Sequence, residues 1–120
     1  MHFLYQGLVV IVALLHFAFL ILEMFLWTKP FGLKTFAMSA EVAKASQVLA
    51  MNQGLYNGFL AVGLLWGLFT SDNKMTIFFL GCVAVAGIFG AFTVSARIFW
   101  IQALPAIVAI VLALIPRESV

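Results

Sequence analysis

The sequence ASQVLAMNQGLYNGFLAVGLLWGLFTS, from Ala45 to Ser71, runs for 27 residues without a charged side chain. About 20 helical residues cross the roughly 30 Å hydrocarbon core of a bilayer, so this stretch is long enough to span it. Three further uncharged stretches have the length to do the same: Met1 to Leu22, Met75 to Ala96, and Ile98 to Pro116. The sequence therefore predicts four membrane crossings.

The composition excludes most soluble activities. Of the 120 residues, 66% are hydrophobic and 8% are charged, whereas about a quarter of the residues in a soluble domain carry a charge. Four crossings use nearly the whole chain, which leaves no room for a soluble catalytic domain, a nucleotide-binding fold or a nucleic-acid surface. The expected partner is the lipid bilayer of the cell membrane, and no nucleic-acid partner is expected.

We predict an all-α fold in which one domain, residues 1–120, forms an antiparallel bundle of four transmembrane helices. The boundaries of these helices are expected near 3–27, 39–69, 75–94 and 98–115. Pro30 and Gly32 interrupt the helical pattern after the first helix, so the segment around 28–38 is expected to be a loop. Ser39 is a suitable N-cap for the second helix. The short connections force neighbouring helices to run antiparallel.

The basic residues predict the orientation of the chain, because positive charges accumulate on the cytoplasmic side of membrane proteins. They fall into two groups, one beside the loops between helices 1–2 and 3–4 (Lys29, Lys34, Lys44 and Arg97), the other on the side of the termini (Lys74 and Arg117). Four basic residues against two predict that the loops between helices 1–2 and 3–4 are cytoplasmic and that both termini are non-cytoplasmic.

Polar side chains inside the predicted spans are the candidates for function, because ionisable and amide groups are costly in hydrocarbon unless they face other helices or water. At 100° per residue, the polar residues of helix 1 share one face, and those of helix 2 form one arc. At 1.5 Å per residue, they converge with helix 4 in the leaflet that holds the first loop. We therefore expect one inward-facing ligand-binding pocket lined by His16, Glu23, Asn52, Gln53, Tyr56, Asn57, Arg97 and Gln102.

Glu23 is the central candidate, because a lone acid without a basic residue in its own helix must be protonated, hydrated or paired with Arg97. The amide residues have a second interpretation, since such side chains also bridge membrane helices as a structural network. His16 and Glu23 are separated by about 10.5 Å along the helix axis, which is too far to share a metal ion. The sequence therefore predicts no metal site and identifies no cofactor.

Small residues predict where helices approach one another closely. Gly54 and Gly58 form a GxxxG pair, which packs either against a helix of the same chain or against a second copy. Gly63 and Gly67 lie on the opposite face of the same helix. In the fourth helix, Pro105 lacks a backbone N–H and is expected to distort the helix.

Three segments of the chain resemble a known family. They are His16-Phe17 followed by Glu23-Met24-Phe25-Leu26-Trp27, then NQGLYNGFLA from Asn52 to Ala61, and then QALPA from Gln102 to Ala106. They are similar to the hallmark segments of small four-helix membrane proteins of bacteria and fungi that are classed as a domain of unknown function. The resemblance covers nearly the whole chain and implies the four-helix architecture, but it implies no activity.

A second resemblance is confined to the second helix. Ala50 to Ala61 is similar to the AHxNxxENxxxFLA stretch of the membrane-associated eicosanoid and glutathione metabolism enzymes, which are four-helix trimers. Here Tyr56 stands where that pattern has Glu, Met51 stands where it has His, and the flanking arginines are absent. These differences argue against glutathione chemistry.

Three functions are compatible with the predicted pocket. In the first, it binds or transports a small lipophilic or polar ligand or a proton-coupled substrate, with Glu23 as the exchangeable charge. Transport would then require a homo-oligomer, because four helices barely enclose a path. In the second, the chain is a membrane enzyme for a lipophilic substrate, with His16 or Glu23 as acid or base and Tyr56 as donor. In the third, it is a structural or accessory subunit. The first is the leading prediction.

The predicted orientation can be tested by labelling in a Cys82→Ala background. Ala37→Cys should react with a membrane-impermeant maleimide only from the cytoplasmic face of oriented vesicles, because the loop that contains it carries the excess of basic residues. Ser71→Cys should react only from the opposite face. Labelling of Ser71→Cys from the cytoplasmic face alone would show that the orientation is inverted.

Overall fold

The computed structural model describes residues 2–116, apart from the side chain of His2. Every regular element in these residues is helical, which confirms the all-α fold class. The elements are α1 (His2–Met24), α2 (Pro30–Thr35), α3 (Ala40–Phe69), α4 (Asn73–Thr93), a π-helical segment (Phe99–Ala103) and α5 (Leu104–Leu114). Arg117, which the orientation argument counts with the termini, lies outside the described residues.

Three of these helices are long and apolar enough to cross a membrane. They cover Phe3–Met24, Ala40–Phe69 and Asn73–Thr93. The fourth apolar helix, Phe99–Leu114, is shorter, with a length of about 24 Å at 1.5 Å per residue. The membrane character of the chain thus rests on three helices, and the fourth crossing stays a prediction.

The chain is organised in two compact units. One consists of Leu14–Ala61, and the other combines Met1–Ala13 with Val62–Val120. The boundaries between the units fall inside α1 and α3, so each of these helices contributes residues to both units.

In the unit Leu14–Ala61, α1 and α3 run antiparallel and approach each other closely at two glycines. A Cβ atom on Gly54 would lie 2.6 Å from Cγ of Met24, and one on Gly58 would lie 2.6 Å from Cδ1 of Leu20. Side chains of α1 occupy the space that a larger residue of α3 would need. The GxxxG pair therefore packs against a helix of its own chain, which is one of the two alternatives that the sequence leaves open.

The segment predicted as the first loop contains the short helix α2. This helix begins at Pro30, and proline is tolerated there because the first backbone N–H of a helix has no partner within the helix. Gly32 is buried against the carbonyl group of Leu26, and a Cβ atom at this position would overlap that carbonyl oxygen. The Trp27 ring contacts the Phe36 ring at a tilt of 46°, with centroids 4.8 Å apart. A glycine and an aromatic contact thus hold α2 against the end of α1.

Side-chain caps begin α3 and α4. The Val42 backbone N–H donates to Oγ of Ser39 at 3.2 Å, which confirms the predicted N-cap of α3. The Met75 backbone N–H donates to Oδ1 of Asp72 at 3.0 Å, so Asp72 caps α4 in the same way. Ser71, with a φ of 55°, adopts the left-handed conformation that reverses the chain between α3 and α4.

In the second unit, glycines again allow antiparallel helices to pack closely. A Cβ atom on Gly63 would lie 2.5 Å from the Phe79 ring, and the corresponding position on Gly87 would lie 2.8 Å from the backbone nitrogen of Ala103. Ala106 and Ala109 are also buried on α5. These contacts bring the backbones of α4 and the last helical segment together.

The helix predicted over 98–115 begins with a π-helical turn rather than a regular α-helix. The Leu104 backbone N–H donates to the Phe99 carbonyl five residues earlier, and Pro105 follows directly. A proline removes one donor from the α-helical ladder, and a π-turn is one way to accommodate the altered hydrogen bonding. The predicted distortion at Pro105 therefore takes the form of a wider turn on its N-terminal side.

Gly87→Ala and Gly81→Ala form a matched pair on α4. A methyl group at position 87 would meet the backbone of Ala103, whereas nothing lies within 4 Å of one at position 81. We expect Gly87→Ala to lower the free energy of unfolding in detergent by about 1–3 kcal/mol. Gly81→Ala should leave it unchanged or raise it, because alanine is the better helix former by about 1 kcal/mol. Equal melting temperatures for the two variants would contradict the close contact.

Candidate functional site

The carboxyl group of Glu23 and the amide of Asn57 form a polar contact between α1 and α3 in the unit Leu14–Ala61. Nδ2 of Asn57 donates a hydrogen bond to Oε1 of Glu23 at 2.5 Å. Glu23 is 7% exposed, and Asn57 is half-buried. The contact joins α1 to α3 across 34 residues of sequence. Two of the predicted site residues are therefore direct partners.

Gly54 explains how Glu23 reaches Asn57. Gly54 lies one helical turn before Asn57, and a Cβ atom added to it would lie 3.1 Å from Cβ of Glu23. Because Gly54 has no side chain, the base of the Glu23 side chain fits directly against α3. The carboxyl group then extends along α3 to the next turn, where Asn57 provides the donor.

The described surroundings of Glu23 include one neutral hydrogen-bond donor and the C-terminal end of α1. Within the described residues of the unit Leu14–Ala61, no lysine forms an ion pair with Glu23, and its hydrogen-bond donor is a neutral amide. Glu23 also lies in the last turn of α1, where the backbone carbonyl groups carry partial negative charge. The hydrogen bond from Asn57 is thus a contact with a neutral partner rather than a salt bridge.

His16 lies on α1 two turns before Glu23 and is fully buried. Its ring contacts Phe19 edge to face, with centroids 5.4 Å apart. The interior position predicted for His16 is thus the one that it occupies. In residues 2–116, no cluster of three or more His, Cys, Asp or Glu side chains has the geometry to hold a metal ion.

The other predicted residues of α3 point away from the contact with α1. Asn52, Gln53 and Tyr56 are exposed, the last of them by 61%. Nδ2 of Asn52 donates at 3.2 Å to the carbonyl of Val48 in its own helix. These three side chains form a polar surface on α3 that is separate from the buried contact of Glu23 with Asn57.

In the other unit, the side chain of Gln102 bridges two helical segments. Its Nε2 donates at 3.2 Å to the carbonyl of Val83, which links the π-helical segment to α4. Arg97 is exposed in the connection between these helices, and its backbone N–H donates to Oγ of Ser95 at 3.3 Å. The placement of Gln102 and Arg97 in one pocket with Glu23 stays a prediction.

One contact that the sequence analysis did not single out fixes the position of α3 beside the end of α1. Nε1 of Trp27 donates to Oγ of Ser46 at 3.1 Å. The sequence carries a weak signal for this contact, because an indole N–H at the end of an apolar helix usually finds a hydrogen-bond acceptor. No pattern in the sequence identifies Ser46 as that acceptor. Trp27 lies four residues after Glu23, and Ser46 lies about three helical turns before Asn57, so the bond is nearer to the loop than the Glu23–Asn57 pair.

A double-mutant cycle on Glu23→Leu and Asn57→Leu measures the energy of the buried contact. Asn57→Leu alone should lower the free energy of unfolding by about 1–3 kcal/mol, because it leaves a buried acceptor without its donor. The cycle should give a coupling energy of about 0.5–3 kcal/mol. Gln53→Leu is the control on the same helix, since Gln53 is exposed, and it should show no coupling to Glu23. Additive effects of the two buried substitutions would contradict the contact.

The comparisons with known proteins assign the chain to a family. Residues 10–114 match the sequence profile described as "Protein of unknown function (DUF1304)", and this range includes every predicted site residue. The chain is also 31% identical over 105 residues to the uncharacterized protein YpaA of Lactococcus lactis subsp. lactis (strain IL1403), covering 84% of this chain and 88% of that protein. No solved structure matches the chain. The chain belongs to the DUF1304 family, and the family resemblance predicted from its sequence segments is confirmed.

Proposed function

We propose that this chain is an integral protein of the cell membrane that binds a small ligand at the Glu23–Asn57 pair. Its four apolar segments cross the bilayer as an antiparallel bundle, with both termini on the non-cytoplasmic side. Glu23 supplies an exchangeable charge for a cationic or hydrogen-bond-donating ligand, or for a proton whose movement is coupled to that ligand. Asn57 orients the carboxyl group through its amide N–H.

The packing within each unit supports four crossings. α1 runs antiparallel to α3 in one unit, and α4 runs antiparallel to the π-helical segment and α5 in the other. The last helical segment is about 6 Å shorter than a typical hydrocarbon core, which a bilayer accommodates by local thinning at modest cost. Arg97 and the exposed Trp100 at its beginning are residue types that anchor a helix end at the lipid headgroups.

The buried carboxyl group of Glu23 is the observation that carries the proposed binding function. An acidic side chain inside an apolar helix is expensive, and a chain that needed only a hydrogen bond between α1 and α3 could use two amides at lower cost. Asn57 donates to Oε1, which leaves Oε2 for a ligand or a proton. The arrangement suits a site that binds and releases a positively charged or donor group.

The enzyme alternative receives less support from the described residues. Tyr56, the predicted donor, is exposed, and its ring contacts Phe59 on the same helix rather than an acid or base. The accessory-subunit alternative is favoured by one observation, because Gln102 bridges α4 and the π-helical segment as a structural amide would. The experiment on Glu23 therefore separates ligand binding from a structural role.

An apolar carbodiimide tests whether Glu23 is an exchangeable carboxyl group inside the membrane. Dicyclohexylcarbodiimide adds the O–H of a carboxylic acid across its C=N bond, and the adduct rearranges to a stable acylurea. We expect mass spectrometry of the full chain in liposomes to find this adduct on Glu23. Tetraphenylphosphonium, a lipophilic cation, should slow the modification because it competes for the same carboxyl group. The adduct should be absent from Glu23→Gln.

Glu41→Gln is the matched control, since Glu41 is an exposed carboxylate in the first turn of α3. It should leave the reaction at Glu23 and the binding of tetraphenylphosphonium unchanged. Glu23→Gln should lose the binding of tetraphenylphosphonium while the protein elutes as a folded species in detergent. If Glu23→Gln retains this binding and changes only the melting temperature, the accessory-subunit alternative is the better one.

A further inference from the structure

The face of α3 opposite to Gly54 and Gly58 carries a regular row of exposed side chains. The row consists of Ala45, Leu49, Asn52, Tyr56 and Phe59, and we call it the α3 seam. The spacing of these residues is four, three, four and three, and at 100° per residue they fall within an arc of about 80°. This is the spacing of the contact positions in a left-handed pair of packed helices.

The members of the α3 seam are exposed, although the seam has the pattern of an interface. Leu49 is 73% exposed, Tyr56 is 61% exposed and Phe59 is 55% exposed. The next position in the repeat is Gly63, which the ring of Phe79 covers.

The depth of Asn52 and Tyr56 makes exposure to lipid costly. Trp27 donates to Ser46, and tryptophan side chains concentrate at the boundary between lipid and water. Counted from Ser46 at 1.5 Å per residue, Asn52 lies about 9 Å deeper and Tyr56 about 15 Å deeper, near the centre of a hydrocarbon core about 30 Å thick. Asn52 donates one N–H to Val48, and no hydrogen bond in the described residues uses its carbonyl oxygen.

We propose that the α3 seam is the contact surface between two copies of this chain in the membrane, with Asn52 paired to Asn52 of the second copy. Copies that insert with the same orientation hold Asn52 at the same depth, so two α3 helices related by a two-fold axis along the membrane normal bring these amides together. A carboxamide has both donors and an acceptor, and it can therefore pair with itself. A polar residue within a row of apolar contact positions fixes the register and the number of helices.

The pairing of two α3 seams rests on the proposed membrane crossing but is independent of chemistry at Glu23. Gly54 and Gly58 are already occupied by α1, so the dimer uses the opposite side of α3. Gln53 lies beside the α3 seam and one turn from Asn57. A second copy would thus shield this amide from lipid as well.

Disulfide cross-linking in liposomes tests the pairing in the full chain with Cys82→Ala. Leu49→Cys and Phe59→Cys, each as the single cysteine, should form cross-linked dimers on oxidation. Met51→Cys is the control because it is also exposed on α3, by 41%, but lies about 120° around the helix from the α3 seam. It should cross-link several-fold less. Cross-linking of Met51→Cys equal to that of the two seam positions overturns the proposal.

Substitution of Asn52 tests the amide pair itself, by energy transfer between donor- and acceptor-labelled copies at decreasing protein-to-lipid ratios. Asn52→Leu should weaken dimerisation by roughly 3- to 30-fold, as expected for the loss of an interhelical amide contact. Asn52→Gln should retain it. An unchanged dimerisation constant for Asn52→Leu, or a wild-type chain that is monomeric at every ratio, overturns the proposal.

Failure of this inference is distinguishable from failure of the proposed function. A monomeric chain whose Glu23 reacts with the carbodiimide overturns the α3 seam alone. A dimer that cross-links at Leu49→Cys and whose Glu23 is inert overturns the binding function alone. Glu23→Gln should leave the cross-linking pattern of the α3 seam unchanged.

Discussion

Hydrocarbon contains no hydrogen-bond donors or acceptors, so a polar group inside a membrane helix must find its partner within the protein. The described polar contacts follow this constraint. Asn57 donates to Glu23 between α1 and α3, and Gln102 donates to the carbonyl of Val83 between the π-helical segment and α4. Each of these bonds requires two helices to approach closely and in one register. The placement of the small residues follows from that requirement.

Glycine allows close helix packing at both contacts, Glu23–Asn57 and Gln102–Val83, but with different results. Gly54 allows the base of the Glu23 side chain to lie close to α3, so the acid gains a neutral hydrogen-bond donor from Asn57. Gly87 instead faces the backbone of Ala103, one residue from Gln102, and brings the amide of Gln102 within reach of a carbonyl on α4. Gly54 therefore brings an ionisable group next to a neutral donor. Gly87 instead allows a hydrogen bond that links two helical segments. Glu23 is therefore the stronger candidate for function, although both residues are polar and both belong to apolar helices.

The sequence was sufficient to predict the helical fold class, the cap at Ser39 and the closely packed glycine face of α3. These properties depend on local pattern, such as uncharged length and residues spaced by one turn. The partner of Glu23 could not be predicted, because it depends on how far α1 is shifted along α3, which the packing at Gly54 and Gly58 determines. The acceptor of Gln102, the carbonyl of Val83, could not be predicted either, because every residue has a backbone carbonyl and no sequence pattern marks this one. The helix α2 was missed because its six residues depend on contacts of Gly32 and Phe36 with the end of α1.

The two faces of α3 suggest why this helix contains so many polar residues. On the face that carries Gly54 and Gly58, α1 supplies the hydrogen-bond partner. Asn57, at the edge of that face, is half-buried and donates to Glu23. On the opposite face, Asn52 and Tyr56 are exposed, and the proposed second copy would supply their partner. Gln53 lies between these faces, one turn from Asn57. A ligand site at Glu23 and a contact between copies at Asn52 would then use opposite faces of one helix, so that each can form without the other.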